Sequence, residues 1–339
     1  MDKVANLSFG NRSNLFSEAA AQKGIAPKII EKDFWVCWTL HHIFKIEEIR
    51  DHIIFKGGTS LSKIFKVIER FSEDIDLVLD WRVLGYGRSE NSKNPENERS
   101  RTQQDRFNQE MNAVSRDYIK NHLVQILSSH FAQHIDQDLF DLNIDSEDPD
   151  SILFRYPATQ EDSRYIKPEV KLEIGPLASR MPNAVFQIQP YAQEYFPQFF
   201  SDPCRVVAIT AERTFWEKIT ILHQQANRGE ASPWPPRYSR HYYDIFRMLF
   251  TDIKRNALEQ IGLLHDVIAF KSKYYPCTWA QYDEAVPGTL KLLPNPKHLK
   301  ELAQDYERMK IMIFGEIPEF EIVMELVGQL ENEINSLGE

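Results

Sequence analysis

The chain has 339 residues, 42% of them apolar and 21 of them Phe, which is enough to build the cores of two packed domains. Its Pro and Gly contents are ordinary, and no stretch approaches the roughly 20 uninterrupted apolar residues of a membrane helix, so a disordered chain and a membrane-spanning one are both excluded. A net charge of −10 excludes a protein that coats nucleic acid nonspecifically and leaves only local contact through a basic groove, while the surplus carboxylates suit a metal-using site.

Residues Met1 to Asn14 show no basic-then-apolar run of the secretory kind, from which a cytoplasmic location is expected. Cys37, Cys204 and Cys277 are widely spaced and lack C-x-x-C pairing, so they read as packed thiols and not as a disulfide or zinc framework. From Pro27 to Ile46 the apolar residues recur at helical spacing, with Pro27 as the opener, and predict an amphipathic helix. His52 to Phe55 reads as a strand ending at Gly57-Gly58, Thr59 to Arg70 as the following helix, and Asp74 to Trp81 as a second strand. Gly85 to Arg106 is almost free of hydrophobes and reads as an exposed loop that could order on a substrate, with Arg88, Arg99, Arg101 and Arg106 as the candidates for that contact. A helix over about Phe107 to His134 is followed by strand-like pieces at Leu139–Ile144, Ile152–Tyr156, Ile166–Ile174, Ala184–Gln189 and Cys204–Ile209. These complete one mixed sheet with the earlier pair. Beyond Thr210 the pattern is helical: Ala211–Gln225, Arg240–Phe250, Ile253–Phe270, Pro296–Phe314 and Pro318–Leu337. The expected organisation is an α/β domain over 1–210 and a helical domain over 211–339.

The chemistry concentrates in Lys56-Gly-Gly-Thr-Ser-Leu-Ser-Lys63 and Arg70-Phe-Ser-Glu-Asp-Ile-Asp-Leu77. Gly57 and Gly58 permit close backbone approach, and a helix N-terminus offers N–H groups and its positive dipole end to an anion, with the Ser60 hydroxyl suited to a phosphate oxygen. The alternative is an ordinary strand-to-helix turn capped by Thr59 or Ser60. Asp74 and Asp76, two apart on a strand, project to one face and present hard oxygen ligands for Mg²⁺ or Mn²⁺; otherwise they are acids of a solvated edge strand. Glu173, between Leu172 and Ile174, offers a third carboxylate or else pairs with Lys171. Lys218 falls beside the Phe215, Ile219 and Leu222 arc of its helix, where an ammonium reaching into a cleft and one snorkelling along the rim are both compatible with the pattern. Arg240, Asp244 and Arg247 line up opposite Tyr242, Ile245, Phe246 and Leu249, as a solvated ladder would. His41-His42, His130/His134 and His223/His241 show no convincing ligand set along the chain.

Gly-Gly-Thr-Ser followed by a helix and Ser-Glu-Asp-Ile-Asp resembles the signature of the nucleotidyltransferase superfamily that includes DNA polymerase beta. More narrowly, Glu31-Lys-Asp33, Lys56–Lys63 and Arg70–Leu77 resemble the AbiEii/AbiGii toxin family, and Val170-Lys-Leu-Glu-Ile174, Glu217-Lys218 and Arg240-His-Tyr-Tyr-Asp244 extend the likeness to about residue 250. The resemblance implies a nucleotidyltransferase-type mixed sheet flanked by helices, with a helical C-terminal part. It implies catalytic roles for Asp74, Asp76, Glu173, Lys218 and Asp244, metal binding by Asp74, Asp76 and Glu173, and nucleotide binding by Gly57, Gly58, Thr59, Ser60 and Lys218. It also implies Mg²⁺ or Mn²⁺, a nucleoside triphosphate substrate, a tRNA 3′ end as a possible acceptor and an antitoxin protein encoded nearby, in a toxin–antitoxin or phage-defence setting. An acceptor that is a small molecule or a protein, and a noncatalytic nucleotide sensor, are the rival readings.

Overall fold

The computed structural model describes residues 1–87, 93–160 and 167–338. Arg88, and Ile166 at the start of one expected strand, lie outside them. The chain divides into two compact units, Met1–Ile64 with Ser72–Ile209, and Phe65–Phe71 with Thr210–Glu339.

In the first unit, α1 (Asp2–Ala5), α2 (Phe9–Lys23) and α3 (Pro27–Ile43) precede β1 (Ile53–Lys56), α4 (Gly57–Lys63) and β2 (Ile75–Leu79). Then come α5 (Arg101–Tyr118), a π-helical turn (Ile119–Leu123), α6 (Val124–Phe131), β3 (Asp141–Ile144), β4 (Ser151–Arg155), β5 (Glu169–Gly175), β6 (Asn183–Ile188) and β7 (Cys204–Ile209). The strands form one seven-stranded mixed sheet in the order β3-β4-β5-β2-β1-β7-β6, with β1 parallel to β7 and β2 parallel to β5. This is the mixed sheet expected from the strand pattern. Its core is aromatic: Trp35 stacks on Tyr156 at 5.4 Å, and Trp38 on Phe154 at 5.7 Å. Cys37 and Cys204 are buried free thiols, and Cys277 is partly buried and free.

Three expectations about residues 27–106 change. The helix opened by Pro27 is not amphipathic but buried on every side from Ile29 to Ile43, because α2, β5 and β7 all pack on it. The helix expected to run to Arg70 stops at Lys63. Lys66 takes a left-handed φ of 54°, and Arg70 forms an antiparallel bridge with Ile313, so this segment joins the second unit. The polar loop also ends early, at Arg101, where Ser100 and Gln103 form a reciprocal capping box that opens α5.

The second unit holds α7 (Ala211–Ala226), α8 (Ser239–Met248), α9 (Asp252–Glu259), α10 (Gly262–Tyr274), α11 (Pro296–Met309) and α12 (Phe320–Ser336). The single helix expected over Ile253–Phe270 is two, interrupted at Gln260 where ψ turns to 50°. Helix α8 packs against α7, α11 and α12, so both of its faces are enclosed. Among the described residues no helix is long and apolar enough to cross a membrane.

Candidate active site

The candidate site in the first unit is built where β1 turns into α4 beside β2. Gly57 takes a φ of +84°, and a Cβ there would lie 1.9 Å from Asp76 Oδ2 and 2.7 Å from its Cγ. Only glycine fits both the left-handed backbone and the carboxylate lying against it. Asp76 is the register partner of Lys56 on β1 and of Glu173 on β5. Ile75 and Leu77 are buried, as are Val170, Leu172 and Ile174, so Asp76 and Glu173 share the less buried face of the sheet as strand neighbours. Asp74 stands one residue before β2 begins, outside the ladder that orients Asp76. Glu173 also pairs with Lys171 at 3.2 Å, as the alternative reading had it, and Lys171 lies 3.1 Å from Asp148.

The hydroxyls expected to face phosphate do other work. Thr59 Oγ1 lies 2.5 Å from the Asp74 carbonyl, to which it donates, and 2.9 Å from Ser72 Oγ, while Ser60 Oγ donates to the Gly57 carbonyl at 2.8 Å. Both side chains are fully buried. They fasten the diglycine turn to itself and to the strand carrying the acids, and α4 begins with no side-chain cap at Lys56.

Three consecutive charged residues on α3 are buried, and two of them, Lys32 and Asp33, hold the segments that flank this turn. The Glu31 carboxylate accepts from Thr159 N at 2.7 Å and Gln160 N at 3.0 Å, and burial pushes its pKa up. Lys32 pairs with Glu73, next to Asp74. Asp33 pairs with Lys63 at the end of α4 and accepts from the Tyr191 N–H at 2.7 Å, while the Lys63 ammonium sits 3.9 Å over the Tyr191 ring. Burial alone would drive the proton off Lys63, but the Asp33 carboxylate in contact with it raises its pKa instead. Replacing Asp33 by asparagine leaves that ammonium buried without its anion. The expected loss is about 3–5 kcal/mol in denaturant unfolding, with part of it recovered when Lys63 is replaced by methionine as well.

The second unit holds a charged cluster of its own. Asp244 is 0% exposed and takes the Arg70 guanidinium in a fork, with both oxygens 2.7 Å from Nε and Nη2, while Lys218 Nζ lies 2.7 Å from Oδ2. The solvated ladder is therefore overturned. Arg240 and Arg247 remain partly exposed, but Asp244 faces Arg70, which lies 174 residues away along the chain. Burial would raise the Asp244 pKa, yet Arg70 and Lys218 hold it well below the carboxylate range. The Lys218 pKa is lowered, because burial is only partly offset by a carboxylate that already serves Arg70. His241, whose Nδ1 lies 3.5 Å from Lys218 Nζ, is kept neutral by burial and by that ammonium. Two cations on one carboxylate leave an excess positive charge. Arg70, at the head of the Arg70–Leu77 motif, has no role legible in the sequence; its fork on Asp244 provides one.

The mixed sheet thus carries a strand-to-helix diglycine turn that closes on Asp76 of the next strand, with Glu173 alongside. The family model described as nucleotidyl transferase AbiEii toxin, type IV toxin–antitoxin system, matches residues 38–326, and the chain belongs to that family. The match reaches the helices after residue 250, where the sequence offered no transferable motif. No curated protein matches the chain. Among solved structures, MenT4, a nucleotidyltransferase toxin from Mycobacterium tuberculosis H37Rv, is similar with 14% identity and a TM-score of 0.39, over 95% of this chain and 98% of that one. JHP933 from Helicobacter pylori has 14% identity and a TM-score of 0.34, over 91% of this chain and 98% of that one. At these scores neither bears on the site.

Proposed function

We propose that this toxin-family chain is a cytoplasmic, divalent-cation-dependent nucleotidyltransferase that moves a nucleoside monophosphate from a triphosphate to the 3′ end of tRNA, releasing pyrophosphate. Translation arrest, held in check by an antitoxin and used against phage, is the proposed setting. The observation that carries the reading is the Asp76 carboxylate lying against the Gly57 backbone, with Glu173 as its register neighbour.

The hard carboxylate oxygens of Asp76 and Glu173 on adjacent strands, and of Asp74 just before β2, suit Mg²⁺ or Mn²⁺, with Asp74 and Asp76 as the holding residues and Glu173 as a further ligand. Such a cation, when bound, supplies Lewis acidity and neutralises phosphate charge. The chain's residues do the rest of the proposed work. The backbone N–H groups at Gly57 and Gly58 approach the phosphates, since the Thr59 and Ser60 hydroxyls are engaged in the turn. Glu173 takes the proton from the acceptor hydroxyl, whose oxygen bonds the α-phosphorus as the bond to the pyrophosphate oxygen breaks. Lys218 is proposed to neutralise phosphate charge and Asp244 to fix its ammonium.

Incubation with each of four α-³²P-labelled triphosphates, Mg²⁺ and total bacterial tRNA is expected to label tRNA, and an Asp74→Ala/Asp76→Ala variant none. Label on protein or on a small molecule instead would replace tRNA as the acceptor class. Triphosphate binding with no label anywhere would make the chain a sensor. Arg101 and Arg106 lie exposed on the first turns of α5, whereas Arg99 is folded back, 3.8 Å over the Phe107 ring. An Arg101→Ala/Arg106→Ala variant is expected to raise the KM for tRNA several-fold and to leave triphosphate binding unchanged, as titration of each substrate would show.

A further inference from the structure

Apart from the carboxylates, the first unit gathers a second set of ligating side chains that sequence spacing did not reveal. His42 stands in the last turn of α3, His130 on α6 and His134 in the turn that follows α6. One ring nitrogen of each lies within 4.8 Å of one ring nitrogen of each of the others. His42 Nδ1 and His130 Nε2 are 3.1 Å apart. Asp2 on α1 meets two of the rings on their other sides: Oδ1 is 2.9 Å from His42 Nε2 and Oδ2 is 3.1 Å from His134 Nδ1. The Trp38 indole N–H donates to the same carboxylate at 3.0 Å.

We propose that His42, His130 and His134 form a binding site for a divalent transition-metal cation of the zinc class, with Asp2 orienting the ligand rings. A carboxylate is acceptor-only, so Asp2 takes N–H from His42 Nε2 and His134 Nδ1 and fixes the tautomer of both. The nitrogens left with lone pairs are then His42 Nδ1 and His134 Nε2, beside His130 Nε2. Without a metal, the contact between His42 Nδ1 and His130 Nε2 needs a proton between them; a cation takes the place of that proton. A zinc ion bonded to imidazole at about 2.0–2.1 Å needs ligand nitrogens roughly 3.3 Å apart, so the 3.1 Å pair stands at ligand spacing already.

A carboxylate bonded to the far nitrogen of a ligating imidazole is the usual support of such sites. Imidazole donors select zinc, copper or nickel over magnesium and calcium, so this site and the carboxylate site on the sheet draw different ions. His42 is buried while His130 and His134 are partly exposed, which leaves a fourth coordination position reachable by water. A bound cation would join α1, α3 and α6 of the first unit, so its role is to hold that unit's helices together.

The test uses the full-length, tag-free chain stripped with a chelator, in an Asp74→Ala/Asp76→Ala background so that the sheet carboxylates take no part. Zinc is titrated in competition with a chromophoric chelator. One zinc per chain is expected, and Co²⁺ in its place should give the visible absorption of a tetrahedral nitrogen site. His130→Ala/His134→Ala, at two partly exposed positions, should weaken zinc at least 100-fold, and Asp2→Asn by about 10–100-fold, the usual effect of losing a carboxylate behind a ligand. Zinc should also raise the thermal midpoint of the parent and leave that of the histidine variant unmoved. The proposal is overturned if the stripped parent takes up no zinc, or if the folded histidine variant takes up as much. In either case the cluster is a hydrogen-bonded histidine network only.

Discussion

Replacing Gly57 by alanine is expected to reduce nucleotide transfer by 10²-fold or more while the chain still folds. The new Cβ would stand 1.9 Å from Asp76 Oδ2, so the carboxylate must swing away from the turn. A misplacement of about 1 Å in a reacting constellation is enough for a 10²-fold loss. Stability should fall far less. Holding a non-glycine residue at a φ of +84° costs about 1–2 kcal/mol, and the displaced group is the end of a side chain rather than backbone. The split is the point of the measurement: transfer rate and denaturant midpoint on one preparation. A variant that transfers normally would separate the diglycine turn from the chemistry.

The second large effect belongs to Asp244. Asp244→Ala leaves the Arg70 guanidinium and the Lys218 ammonium buried without their shared anion, and a loss of about 3–5 kcal/mol in unfolding free energy is expected. Lys218→Met should behave differently. It removes the cation that burial already disfavours, so stability should change by no more than about 1 kcal/mol. If transfer nonetheless falls 10²-fold or more, the ammonium is needed for chemistry and not for folding. The acid limb follows from the sign of the shift. Asp244 has a folded pKa below its unfolded one, so its contribution is complete above the ordinary carboxylate range and is lost as pH falls through and below it. Asp244→Asn should therefore flatten the acid side of the stability profile, which urea unfolding at a series of pH values would show.

The fold was largely legible because strands alternate and helices repeat within a few residues of chain. The diglycine turn and the two acids were legible for the same reason, lying close together in sequence and on neighbouring elements. What stayed hidden was set by partners far away. The pattern on α8 places Asp244 opposite an apolar stripe, and only the packing of α7, α11 and α12 around that helix shows the opposite face to be enclosed as well. Asp244 meets Arg70, and His42 meets His130, across 174 and 88 residues, distances at which no periodicity operates. The charges of Glu31, Lys32 and Asp33 give no sign in the sequence of being enclosed, yet each of the three is buried with its own partner. The capping box at Ser100 and Gln103 was readable but was masked by the polar composition around it.

The most direct test of the central claim is pyrophosphate release from nucleoside triphosphates by the full-length chain, with Mg²⁺ or Mn²⁺ and total bacterial tRNA, beside an Asp76→Asn variant. The account predicts release by the parent with at least one triphosphate and a loss of at least 10³-fold in the folded variant. Release that is equal in the two proteins, or absent from the parent with every triphosphate, would contradict it.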